Sequence, residues 1–208
     1  MKMRTAFLLA LTVFVLAGCA APAATTPTVA DAGPPLTPTP CVLAPVVAPT
    51  PPAEIPPYTE LDETTGLHVT GSIPDIDFET WRLEVVGKVG NPLSLSYDDL
   101  RCMRKVELFC TLTCPGFFSD EATWAGVPLG DILALAEIES DYLGVRLTSA
   151  DGYSTVVSPV MVRTSEPFLA YEWEGEPVPM LHGFPVRAIF PDAQGSFWAK
   201  WLVKIEVY

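Results

Sequence analysis

The placement of proline constrains this chain more than any other feature. Twelve of its 22 prolines lie between residues 20 and 58. Proline locks φ and carries no N–H, so such a stretch builds neither a helix interior nor a sheet ladder. The remaining residues there are mostly Ala, Thr and Val, with Asp31 and Glu54 the only charges. An extended, semi-rigid spacer is expected. The prolines therefore divide the 208 residues into a leader (1–18), a tether (19–58) and one domain of 150 residues (59–208). A domain of that length buries enough surface to hold its own core. Cys41 stands alone in the tether, and the sequence leaves open whether it is free or crosslinked.

In the leader, Lys2 and Arg4 precede an apolar run from Ala6 to Ala17 that only Thr12 interrupts. This is the pattern of an export signal, shorter than the ~20 residues of a membrane span. It ends in Leu16-Ala17-Gly18-Cys19, which resembles the bacterial lipobox. Cys19 is then the expected lipidation site and mature N-terminus. Lipid chains anchor at ~0.8 kcal/mol per buried methylene. An exported protein tethered to the cell membrane or outer membrane, on its periplasmic or external face, is expected.

The chain has 12 Lys and Arg against 25 Asp and Glu, a net charge of −13. Leader and tether cancel, so the domain carries all of it. Nucleic acid is excluded as a partner, because binding it needs cations to replace phosphate counterions. An acidic disordered chain is excluded by a hydrophobic content of 49%.

Within the domain, residues 81–87 alternate apolar and polar and read as a half-buried strand. A turn follows at 90–92, then a short helix with Ser96 as N-cap and two acids in its first turn. Val106, Leu108, Cys110 and Leu112 share one face of a second strand. Residues 128–138 read as a helix. Residues 142–149 and 153–158 are strand-like runs about Asp151-Gly152, a strong hairpin signal. Two more strands are expected at 185–190 and 201–207. The fold class is α+β, a mixed β-sheet core with short helices.

Chemistry-bearing residues are few: His68, His182 and three domain cysteines, Cys102, Cys110 and Cys114. Cys110 and Cys114 lack the second ligand pair of a structural zinc site. No phosphate-cradling loop, nucleophile elbow or HExxH is present. Cys114 ends a strand just before Pro115-Gly116, where a side chain becomes accessible on a fixed backbone. A thiolate there suits a transition metal. A buried thiol, a Cys102–Cys110 disulfide and a redox-responsive Cys110/Cys114 pair stay open on these grounds.

Six segments in order carry a resemblance: WRLEVVGKVGNPLSLSYDDL from Trp81, CPGFF from Cys114, TWAGVPLGDIL from Thr123, LTSADGY from Leu147, HGFPVRAIFP from His182 and GSFWAKWLVKIEV from Gly195. Together they resemble the molybdopterin-binding domain of the sulfite oxidase and methionine sulfoxide reductase superfamily. The resemblance implies that fold, a molybdenum–molybdopterin cofactor and an oxidoreductase activity. It implies Cys114 as the catalytic metal ligand, since the family's cysteine lies about ten residues before a Trp-x-Gly segment, here Trp124 to Gly126. It implies cofactor contacts at Ser149, His182, Arg187, Trp198, Ala199 and Lys200, with His68 and Thr70 as looser candidates. Arg provides a planar fork and Lys a point charge for an anionic group.

The implied function is oxygen-atom transfer to or from a small substrate, with a redox protein such as a cytochrome as a possible partner and the membrane reached through Cys19. The alternative is a non-catalytic lipoprotein that reuses the fold to bind a ligand or partner. Two departures bear on the choice. The arginines and tyrosine that surround sulfite in sulfite oxidases cannot be placed. Exported relatives usually carry a twin-arginine leader, whereas this one has Lys2-Met3-Arg4.

Overall fold

The computed structural model describes residues 41–208. The expected leader, Cys19 and the first part of the tether lie outside the described residues. The elements in order are β1 (Leu61–Asp62), β2 (Leu67–His68), β3 (Leu83–Gly87), β4 (Leu93–Leu95), α1 (Tyr97–Arg101), β5 (Val106–Cys114), β6 (Phe118–Pro128), α2 (Leu129–Leu135), β7 (Val145–Ser149), β8 (Ser154–Val157), α3 (Pro159–Thr164), β9 (Phe168–Trp173), β10 (Glu176–Pro177), β11 (Arg187–Ile189) and β12 (Leu202–Val207).

One five-stranded sheet runs β4-β3-β12-β7-β8. It is mixed, since β12 is parallel to β3 and antiparallel to β7. The other runs β10-β9-β6-β5, with β11 also paired to β9. The pair β1–β2 forms a small separate hairpin. A single buried cluster joins the two large sheets. Leu83, Val85, Leu147 and Ile205 come from the first, and Trp124, Val127, Leu169 and Ile189 from the second. The α+β class with short helices is observed.

Local sequence explains most elements. In β7, Val145, Leu147 and Ser149 are buried while Arg146 is exposed. The two-residue period thus aims the Ser149 hydroxyl inward with the core side chains. Helix α1 opens with the expected Ser96, which forms a reciprocal capping box with Asp99. Such a cap contributes about 1 kcal/mol.

Residues 41–58 contain no helix or strand, as their proline content requires. They are nevertheless fastened to the domain. Cys41 and Cys102 form a disulfide with Cα atoms 5.8 Å apart. Arg101 Nη1 donates to the Ala44 carbonyl (3.1 Å), and Val46 and Ala48 pack against the core. The Cys102–Cys110 pairing left open by the sequence does not form, because Cys102 is taken by Cys41 and Cys110 is a free, buried thiol. The compact unit accordingly begins at Cys41.

Candidate functional site

The hairpin of β5 and β6 builds one wall of the site. Its loop is Pro115-Gly116-Phe117, with Gly116 at φ 82° supplying the left-handed residue that closes a three-residue turn. The register pairs Cys114 with Phe118, Leu112 with Asp120, Cys110 with Ala122 and Leu108 with Trp124. Directly opposed residues of an antiparallel ladder share a face, and alternate residues return to it. Cys114, Phe118, Asp120 and Trp124 therefore project from the same side. Cys114 is half-buried at the strand end. Cys110 is buried deeper, and burial, with Asp192 nearby, pushes its thiol up to about 11.

The facing wall comes from two segments laced together by backbone bonds. Ala188 N–H donates to Ala199 O (2.8 Å), Leu202 N–H to Val186 O (2.9 Å) and Trp201 N–H to Gly183 O (3.3 Å). This lacing brings His182 and Arg187 beside Trp198, Ala199 and Lys200. Gly183 sits at φ 122°, and a Cβ there would lie 3.0 Å from Arg187 Cβ and 3.2 Å from Lys200 Cβ. Any larger residue would push the two cations apart.

Between the walls lies a cavity of about 370 Å³. All nine residues singled out in the sequence line it: His68, Thr70, Cys114, Ser149, His182, Arg187, Trp198, Ala199 and Lys200. Arg187 is buried beside two indoles, its guanidinium carbon 4.6 Å from the Trp124 ring centre and 5.8 Å from that of Trp198. Its Nη1 donates to the His182 carbonyl (3.0 Å). Lys200 Nζ donates to the Leu181 carbonyl (3.0 Å) and the Thr70 carbonyl, and lies 4.7 Å above the Trp201 ring.

Among the described residues neither cation has a carboxylate ion-pair partner. Burial lowers Arg187 to about 9, and burial beside Arg187 holds Lys200 well below the usual lysine range. The Ser149 hydroxyl and Arg187 Nε are buried without hydrogen-bond partners. Buried polar groups are normally satisfied, and each exception calls for an explanation. Two cations and two orphaned polar atoms on one cavity form a donor set for an anion.

Both histidines of the chain are held by buried aspartates, and the β1–β2 hairpin supplies one member of each pair. His182 Nε2 lies 3.0 Å from Asp62 Oδ2 and 2.9 Å from Thr65 Oγ1. Burial lowers His182 to about 4, against the opposing pull of Asp62. The ring is therefore neutral at pH 7, with its proton on Nε2. His68 Nδ1 lies 2.6 Å from Asp120 Oδ1, and its backbone N–H donates to Asp120 Oδ2 (2.8 Å).

Sequence reasoning passed over Asp62, Thr65, Asp120, Trp124 as a wall, and the cavity tyrosines Tyr58 and Tyr153. For β6 a signal existed. The Pro115-Gly116 turn sets a register that returns Phe118, Asp120 and Trp124 to the Cys114 face. An acid on that inward face broke the apolar alternation that would have marked the strand.

Comparison with known proteins agrees with this geometry. Mitochondrial sulfite oxidase of Homo sapiens is 36% identical over 165 residues, covering 65% of this chain and 30% of the relative. The chain thus spans under a third of the sulfite oxidases it matches. The uncharacterized oxidoreductase YuiH of Bacillus subtilis is 32% identical over 73% of this chain and 78% of its own length. Among solved structures, the sulfane dehydrogenase SoxCD of Paracoccus pantotrophus superposes with a TM-score of 0.61 at 21% identity, over 65% of this chain and 40% of that one. It shares the fold, so the expected sulfite-oxidase-like architecture is present. Residues 70–208 match the model of the oxidoreductase molybdopterin binding domain, and the chain belongs to that family.

Proposed function

We propose that this domain is a molybdenum–pterin oxidoreductase that moves an oxygen atom to or from a small substrate, with Cys114 as its ligand to the metal. The observation that carries this reading is the cavity's unmatched donor set: Arg187, Lys200 and the Ser149 hydroxyl. Burying an ion costs several kcal/mol unless a counter-ion or hydrogen bonds offset it. Here the carbonyl contacts, with Asp120 and Asp151 acting at longer range, offset part of that cost, and among the described residues no carboxylate is in ion-pair contact. A phosphate-bearing pterin has the complementary charge, and the residues present fit it. Arg187 Nε and the Ser149 hydroxyl are free to donate to its oxygens.

Cys114 offers a single thiolate. Among the described residues no group of three His, Cys, Asp or Glu converges to hold a metal. A metal seated at Cys114 would therefore arrive with its other ligands, as a pterin dithiolene supplies them. When bound, that centre supplies the two-electron redox change of oxygen-atom transfer. The chain's own residues bind and orient. Trp124 and Trp198 pack against the Arg187 guanidinium, Lys200 adds a fixed charge, and Asp62 fixes the His182 tautomer.

The Cys41–Cys102 disulfide supports an oxidising compartment. Together with the leader, it favours an exported enzyme held by lipid at Cys19. The acidic domain surface suits a basic one-electron carrier protein as partner. The test is the absorbance of protein purified from a host that makes the cofactor. The metal–thiolate band is expected in the wild type and lost in Cys114→Ser, with far-ultraviolet dichroism unchanged. A band that survives the substitution refutes the ligand assignment, and metal-free wild type favours a non-catalytic binding role.

A further inference from the structure

The pair His68–Asp120 is built like a proton-handling dyad, and it stands on the Cys114 wall. Asp120 is buried and accepts twice from His68, from the backbone N–H at 2.8 Å and at ring Nδ1 at 2.6 Å. The carboxylate thus holds the residue by two bonds, one at the backbone and one at the ring, and keeps the Nδ1 proton facing itself. The ring lies flat on Phe118, with centroids 4.4 Å apart and planes 6° from parallel. Phe118 is the direct ladder partner of Cys114. Asp120 is the diagonal neighbour of Cys114 on the same face, a separation of about 7–8 Å between Cα atoms in such ladders. The His68 ring lines the cavity with about a quarter of its side chain exposed. Its Nε2 carries no hydrogen bond within the described residues and is available to a guest.

The cations near the dyad are Lys200, which donates to the Thr70 carbonyl, and Arg187, over the Trp124 ring; Asp151 adds a carboxylate to the same cavity. Both cations are anchored on carbonyl oxygens. His182 cannot serve in place of His68, because its Nε2 is already engaged by Asp62 and Thr65. A nitrogen oriented by a buried carboxylate through the opposite ring atom is the arrangement that fixes tautomer and direction in general acid–base catalysis.

We infer that His68 Nε2 takes a proton from the water that supplies the transferred oxygen and, once protonated, donates a hydrogen bond to that oxygen in the oxide, with Asp120 as its positioning residue. This rests on the oxygen-transfer reading above. That exchange balances as X + H2O on one side and XO, two protons and two electrons on the other. An external one-electron carrier takes up or supplies both electrons. His68 accepts one proton at Nε2 as water gives up its hydrogens, or returns it as water forms. The resemblance implies His68 as a looser cofactor contact; the dyad leaves its Nε2 open to the cavity.

Because the chain has only two histidines, nitrogen-15 imidazole spectra of the metal-loaded protein separate the possibilities. His68 is expected as the Nδ1–H tautomer and His182 as the Nε2–H tautomer, with His182→Gln assigning the signals. Dimethyl sulfoxide and trimethylamine N-oxide, whose oxygens only accept, should draw a proton onto His68 Nε2, moving its signal to that of the doubly protonated ring and leaving His182 unmoved. With reduced viologen as electron donor, His68→Gln should lower kcat about 10²- to 10⁴-fold while KM and molybdenum content stay near wild type. Asp120→Asn should randomise the His68 tautomer and lower kcat with it. The inference is overturned if neither oxide moves His68 Nε2, or if His68→Gln turns over within threefold of wild type. A wild type that binds no metal instead overturns the oxygen-transfer reading itself.

Discussion

Replacing Arg187 with methionine should move stability and cofactor retention in opposite directions. The guanidinium is buried, lies against Trp124 and Trp198, and has no ion-paired carboxylate among the described residues. Burial lowers it from 12.5 to about 9. At 1.36 kcal/mol per pKa unit, that corresponds to a cost on the order of 5 kcal/mol for the charged form in the empty domain. The folded value lies below the unfolded one. The cost is therefore present in full below about pH 9 and fades only as pH rises toward the unfolded value. Cation–π contact with the two indoles offsets about 2 kcal/mol of it, and the bond to the His182 carbonyl contributes about 1 more. Methionine keeps the volume and packs well against indoles. The metal-free Arg187→Met protein is expected to be about 1–3 kcal/mol more stable than wild type, roughly 3–10 °C in Tm for a domain of this size. The assay is urea and thermal unfolding of metal-free protein at pH 7, alongside pterin released from protein made in a cofactor-competent host. Pterin should fall sharply in the variant. A metal-free variant less stable than wild type, or one that keeps its full pterin, refutes the argument that this cation is held for an anionic guest.

Other consequences follow from the same geometry. Burial holds His182 at about 4, so the unfolded chain takes up that proton first as pH falls. Stability should drop by about 3 kcal/mol between pH 6.5 and 4, and His182→Gln should flatten that slope in acid unfolding curves. Reducing the Cys41–Cys102 disulfide, which closes a separation of 61 residues, should cost up to about 4 kcal/mol; scanning calorimetry with and without reductant reads it, and an unchanged Tm contradicts it. Iodoacetamide on the native, metal-free protein should label Cys114 ahead of Cys110, whose thiol burial pushes up to about 11. Peptide mapping that finds Cys110 labelled first would place the accessible thiol on the wrong residue.

Legibility in the sequence tracked how local the determining forces are. Helix α1 was readable because Ser96 and Asp99 cap each other three residues apart. The β7–β8 hairpin was readable because Asp151-Gly152 announces its turn, and β3 because Leu83 and Val85 alternate with charge. Strand β6, the longest element, was not expected, since its inward face carries Asp120. Strand β9 was not expected either: Phe168 to Tyr171 is buried on both faces and shows no alternation. Seven of the candidate residues were named through motif order and His68 and Thr70 through a looser match, and the structure brings all nine to one cavity. Their partners were invisible for a physical reason. Asp62 meets His182 across 120 positions and Asp120 meets His68 across 52, so nothing in local spacing marks either acid. Cys41 read as an isolated tether residue for the same reason, because its partner lies in a different segment.

Cys114, Arg187, Lys200 and Ser149 would together hold a molybdenum–pterin group in the cavity. The most direct measurement is elemental analysis of molybdenum, per mole of chain, in full-length protein purified from a cofactor-making host, beside the Cys114→Ser variant. Stoichiometric molybdenum in the wild type and its loss from the variant is the predicted result. A folded wild type without molybdenum from a host proven to load other molybdoenzymes would contradict it.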